Sequence, residues 1–297
     1  MHEFEWLEPT SVAGAGHLLA ELGDDARAWA GGTALILAMR QRMLAPTHVV
    51  SLAGIAALRG IGFDTQQGLR VGALTRHSEL AASALVRRHY PMLADLASRM
   101  ANPQVRNQGT LGGNICYADP ATDPPTCLMA LSASLLLEGP HGQRVLAIED
   151  FLVDYYTTAL QPGELVVEIR VPPPVGGSDG RYERFLRTAA EHRPLVNVAL
   201  HARREGGFCH TARLVVGASV AVPARQHGAE QMLAGQTVTP ELAAAVADRV
   251  AGDITPLSDL RGDGEYRRAM VRVVTRRTLH TLFGLPGEIS AEGSTRA

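Results

Sequence analysis

The middle of the chain contains a glycine-rich stretch, Thr110-Leu111-Gly112-Gly113-Asn114-Ile115-Cys116-Tyr117-Ala118-Asp119-Pro120. A second glycine pair lies upstream, in Ala30-Gly31-Gly32-Thr33-Ala34-Leu35. Because glycine has no Cβ, its backbone can adopt positive φ and can approach a ligand closely. A single Gly-Gly pair usually marks only a turn. Two pairs, each accompanied by a threonine, predict two loops that present several backbone N–H groups to one anion.

A pyrophosphate is the anion that best suits two separate loops. Neither stretch has the Gly-x-Gly-x-x-Gly spacing of a Rossmann site or the Gly-x-x-x-x-Gly-Lys-Ser/Thr spacing of a P-loop, so both of these sites are disfavoured. The first pair follows a short apolar run, residues 26–30, which predicts a buried strand. Residues 34–43 are good helix formers, and Thr33 is expected to be the N-cap of that helix.

The composition indicates a globular protein with more than one core. The chain has 297 residues, of which 46% are hydrophobic, and this length favours two or three subdomains. Its net charge of −2, with both signs interspersed, disfavours nucleic-acid binding and attraction to a membrane. No apolar run is long enough for a membrane span, and the acidic, aromatic N-terminus does not resemble a signal peptide. We therefore expect a cytoplasmic protein.

The chain offers no clear metal site or catalytic site. Its three cysteines, Cys116, Cys127 and Cys209, lack Cys-x-x-Cys spacing. An iron–sulfur cluster needs about four thiolates, and a structural zinc site is equally unsupported. A disulfide between Cys116 and Cys127 is disfavoured in a cytoplasmic protein. Since no nucleophilic triad, His-Glu-x-x-His or paired-carboxylate pattern is present, we predict no catalytic residue and no metal ligand on this chain.

Local patterns predict the elements of the first part of the chain. Residues 4–30 are predicted to form a strand, a helix and a strand, and residues 47–52 another strand. Further helices are predicted at residues 75–84 (with Thr75 as cap), 91–100, 124–132 and 149–156. Hairpins are predicted at residues 58–71 and 134–147, a strand at residues 165–171, and an irregular loop at residues 101–114.

A proline-rich linker, Pro172-Pro173-Pro174-Val175-Gly176-Gly177-Ser178, divides the chain. Beyond it, an antiparallel meander is predicted from residues 182–186, 195–203 and 208–216, with a hairpin turn at residues 204–207. Helices are predicted at residues 224–233, 240–250 and 265–282. A sheet followed by helices is typical of an α+β domain.

The second glycine stretch lies within a longer motif, residues 102–114 (Asn-Pro-Gln-Val-Arg-Asn-Gln-Gly-Thr-Leu-Gly-Gly-Asn) running into residues 118–125 (Ala-Asp-Pro-Ala-Thr-Asp-Pro-Pro). This motif resembles the FAD-binding medium subunit of the molybdenum hydroxylases, enzymes of the carbon monoxide dehydrogenase and xanthine dehydrogenase type. Residues 30–35 resemble the first FAD loop of that family, and residues 262–282 resemble the helix that closes its C-terminal domain. The resemblance covers nearly the whole chain.

The resemblance implies an α+β fold with two domains. Residues 1–174 would form a vanillyl-alcohol-oxidase/PCMH-type FAD-binding domain, with subdomains at about residues 1–57 and 58–174. Residues 178–284 would form a C-terminal domain like that of the carbon monoxide dehydrogenase flavoprotein, an antiparallel sheet with helices, followed by a tail at residues 285–297.

The resemblance also implies an FAD site between the two loops. Its cofactor-binding residues would include both glycine stretches and three further side chains: Ala30, Gly31, Gly32, Thr33, Ala34, Leu35, Thr110, Leu111, Gly112, Gly113, Asn114, Arg106, Asp123 and Arg184. Asp123 would accept hydrogen bonds from sugar or ribityl hydroxyls, and it is also a candidate helix N-cap. Arg106 would offset pyrophosphate charge, or else be an exposed loop arginine. Arg184 is the nearest match to a family lysine close to the flavin, with Arg187 as the alternative.

Three other residues have two interpretations each, and a fourth, His77, has one. His192 lies either near the outer face of the flavin or in an ordinary loop. Tyr117 either covers the flavin or packs in the core. Cys116 is either a redox thiol or a small buried hydrophobe, and the second is favoured. His77 is more simply a neighbour of a helix cap.

The function implied by the resemblance is electron transfer. A small partner subunit with [2Fe–2S] clusters would pass electrons to FAD on this chain, and FAD would pass them to an external acceptor. Hydroxylation would take place at a molybdopterin cofactor on a large partner subunit, in a heterotrimer or its dimer. The alternatives are a free-standing FAD-dependent oxidase or dehydrogenase and a degenerate, non-catalytic binding module.

Overall fold

The N-terminal subdomain is built on a small parallel sheet. The computed structural model of the chain describes residues 2–188 and 191–286. The elements of this subdomain are β1 (Glu5–Leu7), α1 (Val12–Leu22), β2 (Ala26–Trp29), α2 (Leu35–Arg40) and β3 (His48–Ser51). The three strands pair in parallel in the order β1-β3-β2, with α1 packed beside them. The predicted strand–helix–strand order is confirmed. The helix after the glycines is shorter than predicted and begins after Ala34, so the prediction of Thr33 as its N-cap is wrong.

The second subdomain has an antiparallel five-stranded sheet in the order β4-β5-β10-β6-β7. Its strands are β4 (Ile61–Asp64), β5 (Gly68–Gly72), β6 (Ser134–Gly139), β7 (Gly142–Ala147) and β10 (Leu165–Val171). Both predicted hairpins and the last strand are confirmed. Helices cover one side of this sheet: α3 (His77–Ala82), α4 (Ala84–His89), α5 (Pro91–Arg99), α6 (Pro103–Gln108), α7 (Leu111–Tyr117) and α8 (Pro124–Ala130). Together they enclose the larger of the hydrophobic cores in the described residues.

Three local predictions in this subdomain are wrong. Residues 101–114 contain α6 and the start of α7, where an irregular loop was expected; Asn102 caps α6 because its Oδ1 accepts the Val105 N–H at 2.8 Å. The helix α3 begins after Arg76, whose N–H donates to the Glu79 carboxylate at 2.8 Å, so Thr75 is not its cap. The predicted helix at residues 149–156 is a single turn, α9 (Ile148–Phe151), followed by strands β8 (Leu152–Asp154) and β9 (Thr157–Thr158).

The C-terminal part is an antiparallel sheet covered by helices, as predicted. Its elements are β11 (Ser178–Phe185), β12 (Val196–Glu205), β13 (Phe208–Gly217), β14 (Ala224–Arg225), α10 (His227–Leu233), β15 (Gln236–Thr237), α11 (Pro240–Asp253) and α12 (Gly264–Phe283). The sheet order is β11-β12-β13-β14, and β15 pairs with β13. Residues 224–225 pair with β13, so the predicted start of a helix at this position is wrong.

The C-terminal sheet packs directly onto the second subdomain. Tyr182, Ala199 and Val215, on β11 to β13, belong to the same hydrophobic core as α5 and α8. The segment between β10 and β11 is held as well, since the Tyr90 hydroxyl donates to the Pro172 carbonyl at 2.7 Å. Among the helices that the structure describes, none has the length and apolar character needed to cross a membrane.

Candidate functional site

The two glycine stretches meet backbone to backbone. A Cβ on Gly31 would lie 2.1 Å from the carbonyl oxygen of Gln108, much closer than atoms can pack. Gly32 has a φ of +70°, and a Cβ there would lie 2.2 Å from the Trp29 indole. Gly31 is therefore required because a side chain there would push the first loop away from Gln108. Gly32 is required by its positive φ and by its packing against Trp29.

The second glycine pair lies in the first turn of α7 rather than in a flexible loop. Thr110 is the N-cap of this helix, and its Oγ1 accepts the Gly113 N–H at 3.2 Å. Gly112 is buried, and a Cβ there would lie 2.6 Å from the Cβ of Ala73. This pair thus allows α7 to pack closely against the strand end that carries Ala73.

The backbone N–H groups of the two stretches differ in availability. Those of the second stretch bond within the protein: Leu111 to Thr75 O, Gly112 to Ala73 O, Gly113 to Thr110 Oγ1 and Asn114 to Thr110 O. In residues 31–35, by contrast, no N–H has a hydrogen-bond acceptor within the described parts of the chain. Consecutive free N–H groups around a residue with positive φ form a concave anion site. The first loop therefore supplies the backbone donors.

A cleft of about 170 Å³ lies between the two stretches. Its lining contains members of both: Ala30, Gly31, Ala53, Arg59, Leu74, Arg76, Gln108 and Thr110. Arg76 and Thr110 face each other in an antiparallel backbone bridge, which fixes the spacing of this wall. Sequence reasoning missed Arg59, Arg76 and Gln108. The cleft depends on pairing between segments about thirty residues apart, which no local pattern reveals.

Arg106 and Asn114 bond to protein groups outside the cleft lining. The Arg106 guanidinium donates to the carbonyl oxygens of Met100 and Ala101 at 2.8 and 2.9 Å. The Asn114 amide donates to the Thr122 hydroxyl at 2.7 Å. Arg106 therefore stabilises the turn before α6, and Asn114 connects α7 to the segment that leads into α8.

Asp123 lies where the C-terminal sheet packs against the part of the chain before the linker. This contact region is called the seam. Its side chain is 4% exposed, and its carboxylate accepts a hydrogen bond from the Tyr182 hydroxyl at 2.5 Å. The Arg184 guanidinium lies 3.3 Å from the same carboxylate. Burial raises the pKa of Asp123, and the Arg184 charge offsets part of that rise. Asp123 occupies the predicted N-cap position of α8, but its side chain accepts no helix N–H and bonds Tyr182 and Arg184 instead.

A second polar contact across the seam lies close to the first. Asn197, on β12, is fully buried; its amide donates to the Thr122 carbonyl at 2.9 Å and its Oδ1 accepts from the Thr126 hydroxyl at 2.9 Å. Because Thr122 also bonds Asn114, a continuous set of hydrogen bonds runs from α7 to the C-terminal sheet.

The remaining residues singled out in the sequence occupy varied positions. The Tyr117 ring packs edge-on against Tyr156 with centroids 5.2 Å apart. Burial raises the pKa of the Cys116 thiol to about 12, which keeps it protonated and agrees with a packing role. His192 is exposed, and Arg187 pairs with Glu191 rather than with Asp123.

His77 is buried behind the second stretch. Its Cδ2 lies 3.3 Å from where a Cβ on Gly109 would be, and its backbone N–H donates to the Gly109 carbonyl at 3.1 Å. Its Nδ1 has no hydrogen-bond partner among the described residues. Burial lowers the pKa of His77 to about 4, so the imidazole is neutral at pH 7.

Comparison with known proteins places this geometry in a family. Residues 2–174 match the family described as the FAD binding domain in molybdopterin dehydrogenase. The chain belongs to this family of FAD-binding flavoproteins. Residues 181–282 of the flavoprotein match the CO dehydrogenase flavoprotein C-terminal domain. The predicted family resemblance is thereby confirmed.

Individual relatives align over almost the whole flavoprotein. The carbon monoxide dehydrogenase medium chain of Hydrogenophaga pseudoflava is 35% identical over 94% of this chain and 97% of its own length. The xanthine dehydrogenase FAD-binding subunit of Escherichia coli O157:H7 is 29% identical over 93% of this chain and 95% of its own. A solved structure of the Hydrogenophaga carbon monoxide dehydrogenase superposes with a TM-score of 0.92, covering 95% of this chain and 98% of that one, at 35% identity. These matches confirm the predicted fold class.

The residues of the cleft fit the diphosphate of FAD. Free N–H groups at residues 31–35 can donate to phosphate oxygens, and the Thr33 and Thr110 hydroxyls are further donors. A Cβ at Gly31 would push apart the walls of this cradle. These hydrogen-bond donors suit the anionic diphosphate of FAD, the cofactor named in the description of the family.

Proposed function

We propose that the flavoprotein is the FAD-binding, electron-transfer subunit of a molybdenum hydroxylase complex. In that complex, a small subunit with [2Fe–2S] clusters passes electrons to the FAD on this chain, and an external acceptor removes them. The substrate reacts at a molybdopterin cofactor on a large subunit. The three chains form a heterotrimer or a dimer of heterotrimers in the cytoplasm.

The observation that carries the proposal is the anion cleft formed by the two family motifs. Its first wall contains Gly31, where the run of unbonded N–H groups at residues 31–35 begins, and its second wall contains Thr110. The names of the relatives support the assembly, since they include medium chains and a subunit alpha of the 6-hydroxypseudooxynicotine dehydrogenase complex of Paenarthrobacter nicotinovorans, which is 32% identical to this chain.

The role of the protein is to bind and orient the cofactor. When bound, FAD supplies a redox centre that can take up and release one or two electrons. The first loop would hold its diphosphate through N–H groups, and the segment just before the second stretch would fix that loop through the contact between Gly31 and Gln108. Arg184 would lie near the flavin, held in place by Asp123. No residue of the chain is required to act as an acid or base.

The test is to isolate the full chain and measure flavin. We expect absorbance near 450 nm, with about one FAD per chain after reconstitution. A chain that remains colourless and binds no FAD would contradict the proposal. Electron transfer is tested on the complex co-expressed with its neighbouring subunits: removing FAD should stop reduction of the external acceptor while the iron–sulfur clusters are still reduced by substrate. Substrate oxidation by the isolated chain alone would instead identify a free-standing oxidase.

A further inference from the structure

Two arginines of the cleft have no assigned role. Arg59 and Arg76 line the same cleft as Ala30, Gly31 and Thr110. Both are exposed, and neither forms an ion pair with any carboxylate in the described residues. The Arg59 guanidinium donates to the Ala53 carbonyl at 3.3 Å. Two positive charges with no paired carboxylate in the described parts of the chain thus line the cleft together with Gly31, the first residue with a free N–H.

Backbone bonds fix both arginines at the cleft wall. The carbonyl of Leu58, the residue before Arg59, accepts the Leu74 N–H at 2.7 Å. Arg76 lies opposite Thr110 in the antiparallel bridge, flanked by the hydrogen bonds Leu111 N–H to Thr75 O and His77 N–H to Gly109 O. The nearby Glu79 carboxylate accepts the backbone N–H of Arg76 through its Oε2 and is not paired with the Arg76 guanidinium in the described residues. The fold therefore places the backbone of both arginines at the cleft wall, independently of a ligand.

An anion in this cleft needs more than neutral donors. The diphosphate of FAD carries two negative charges, and removing it from water is costly unless cations compensate. Guanidinium groups match phosphate geometry and form strong, charge-assisted hydrogen bonds. Arg106, the cation expected from the sequence, donates to two backbone carbonyls and does not line the cleft. Arg59 and Arg76 are the cations that line it.

We infer that Arg59 and Arg76 are the residues that neutralise the diphosphate and make the site select a dinucleotide flavin over a mononucleotide. This inference rests on the proposed FAD site. It assigns the charge recognition to two residues outside both glycine motifs. The first loop then determines the position of the diphosphate, and the two arginines determine how strongly its charge is bound.

The test compares two ligands that contain a diphosphate, FAD and ADP, with one that contains a single phosphate, FMN. FAD, FMN and ADP are titrated into the flavin-free full chain and into Arg59→Gln, Arg76→Gln and the double variant. Each single change should raise the Kd of FAD and of ADP about tenfold, whereas the Kd of FMN, which has no diphosphate, should change less than about threefold. Increasing salt should weaken FAD binding to the wild type more than to the double variant.

Two control variants complete the test. Arg88→Gln removes the same charge from an exposed position on α4 and should leave every Kd unchanged. Arg76→Lys should restore part of the affinity, because the charge is kept. Wild-type Kd values for FAD and ADP in the double variant would overturn the inference while leaving the FAD proposal intact. A wild-type chain that binds ADP through these arginines but never FAD would overturn the proposed function instead.

Discussion

At the scale of single residues, the glycines of the site are explained by protein packing. We predict that Gly31→Ala weakens FAD binding at least tenfold, because the new Cβ would lie 2.1 Å from Gln108 O and force the two loops apart. Overpacking of this kind also lowers the free energy of unfolding by about 1–3 kcal/mol. Fluorescence titration and thermal melting measure both effects. Gly252→Ala, where no atom lies within 4 Å, is the matched control. Unchanged FAD affinity in Gly31→Ala would contradict this account of the cleft.

His77 gives a prediction about pH. Its pKa is about 4 in the folded protein because of burial, against an ordinary value of 6.5. The unfolded chain therefore binds more protons than the folded chain between these two values, and stability is lost as pH falls from 6.5 towards 4. The full effect of this shift is about 3 kcal/mol. We expect the wild type to lose that much more unfolding free energy than His77→Gln between pH 7 and pH 4, measured by urea denaturation. Parallel losses in the two proteins would show that His77 does not titrate in this way.

At the scale of elements, the seam between the two parts of the chain depends on Asn197. Replacing Asn197 by Ala leaves the Thr122 carbonyl and the Thr126 hydroxyl without their partner in a buried place. We predict a loss of about 2 kcal/mol in the free energy of unfolding, measured by chemical denaturation. The control is Asn107→Ala, on the exposed face of α6, which should cost less than about 0.5 kcal/mol. Equal stabilities for the two variants would mean that this polar contact adds nothing to the seam.

The elements predicted correctly are those with strong local signals. Pro91 at the start of α5 and the apolar run before Gly31 each predicted an element that the structure confirms. The helices α6 and α7 were missed because glycine and asparagine disfavour a helix by propensity and the stretch has no apolar periodicity. Here tertiary contacts override propensity, since the Gly112 N–H bonds Ala73 O and the helix packs at a distance that only glycine permits.

Local sequence signals also predict only part of the site. The glycine motifs could be identified because their residues are contiguous in the sequence. The partners of Asp123 lie about sixty positions away, on β11, and the arginines of the cleft lie on separate elements before the second motif. Only the fold brings these groups together. The motif alone predicted charge compensation at Arg106, and it could not reveal that this guanidinium bonds the backbone before α6.

At the scale of the whole molecule, FAD should stabilise the chain by binding only its folded state. The cleft needs β2, α3 and α7 to be in place, so the unfolded chain has no equivalent site. At an FAD concentration 100 times the Kd, linkage adds about 2.7 kcal/mol to the free energy of unfolding. Thermal melting at increasing FAD should show a rising midpoint, and the double variant of Arg59 and Arg76 should need more FAD for the same shift. A midpoint that is independent of FAD would contradict binding to the folded state.

The central claim is that the first loop holds the diphosphate of FAD in the cleft between the two glycine stretches. The measurement that tests it most directly is an experimental structure of the full chain with FAD bound. We predict diphosphate oxygens within hydrogen-bonding distance of the N–H groups of residues 31–35, with the guanidinium groups of Arg59 and Arg76 on the same anion. A diphosphate bound elsewhere, with those N–H groups facing only solvent, would contradict the claim.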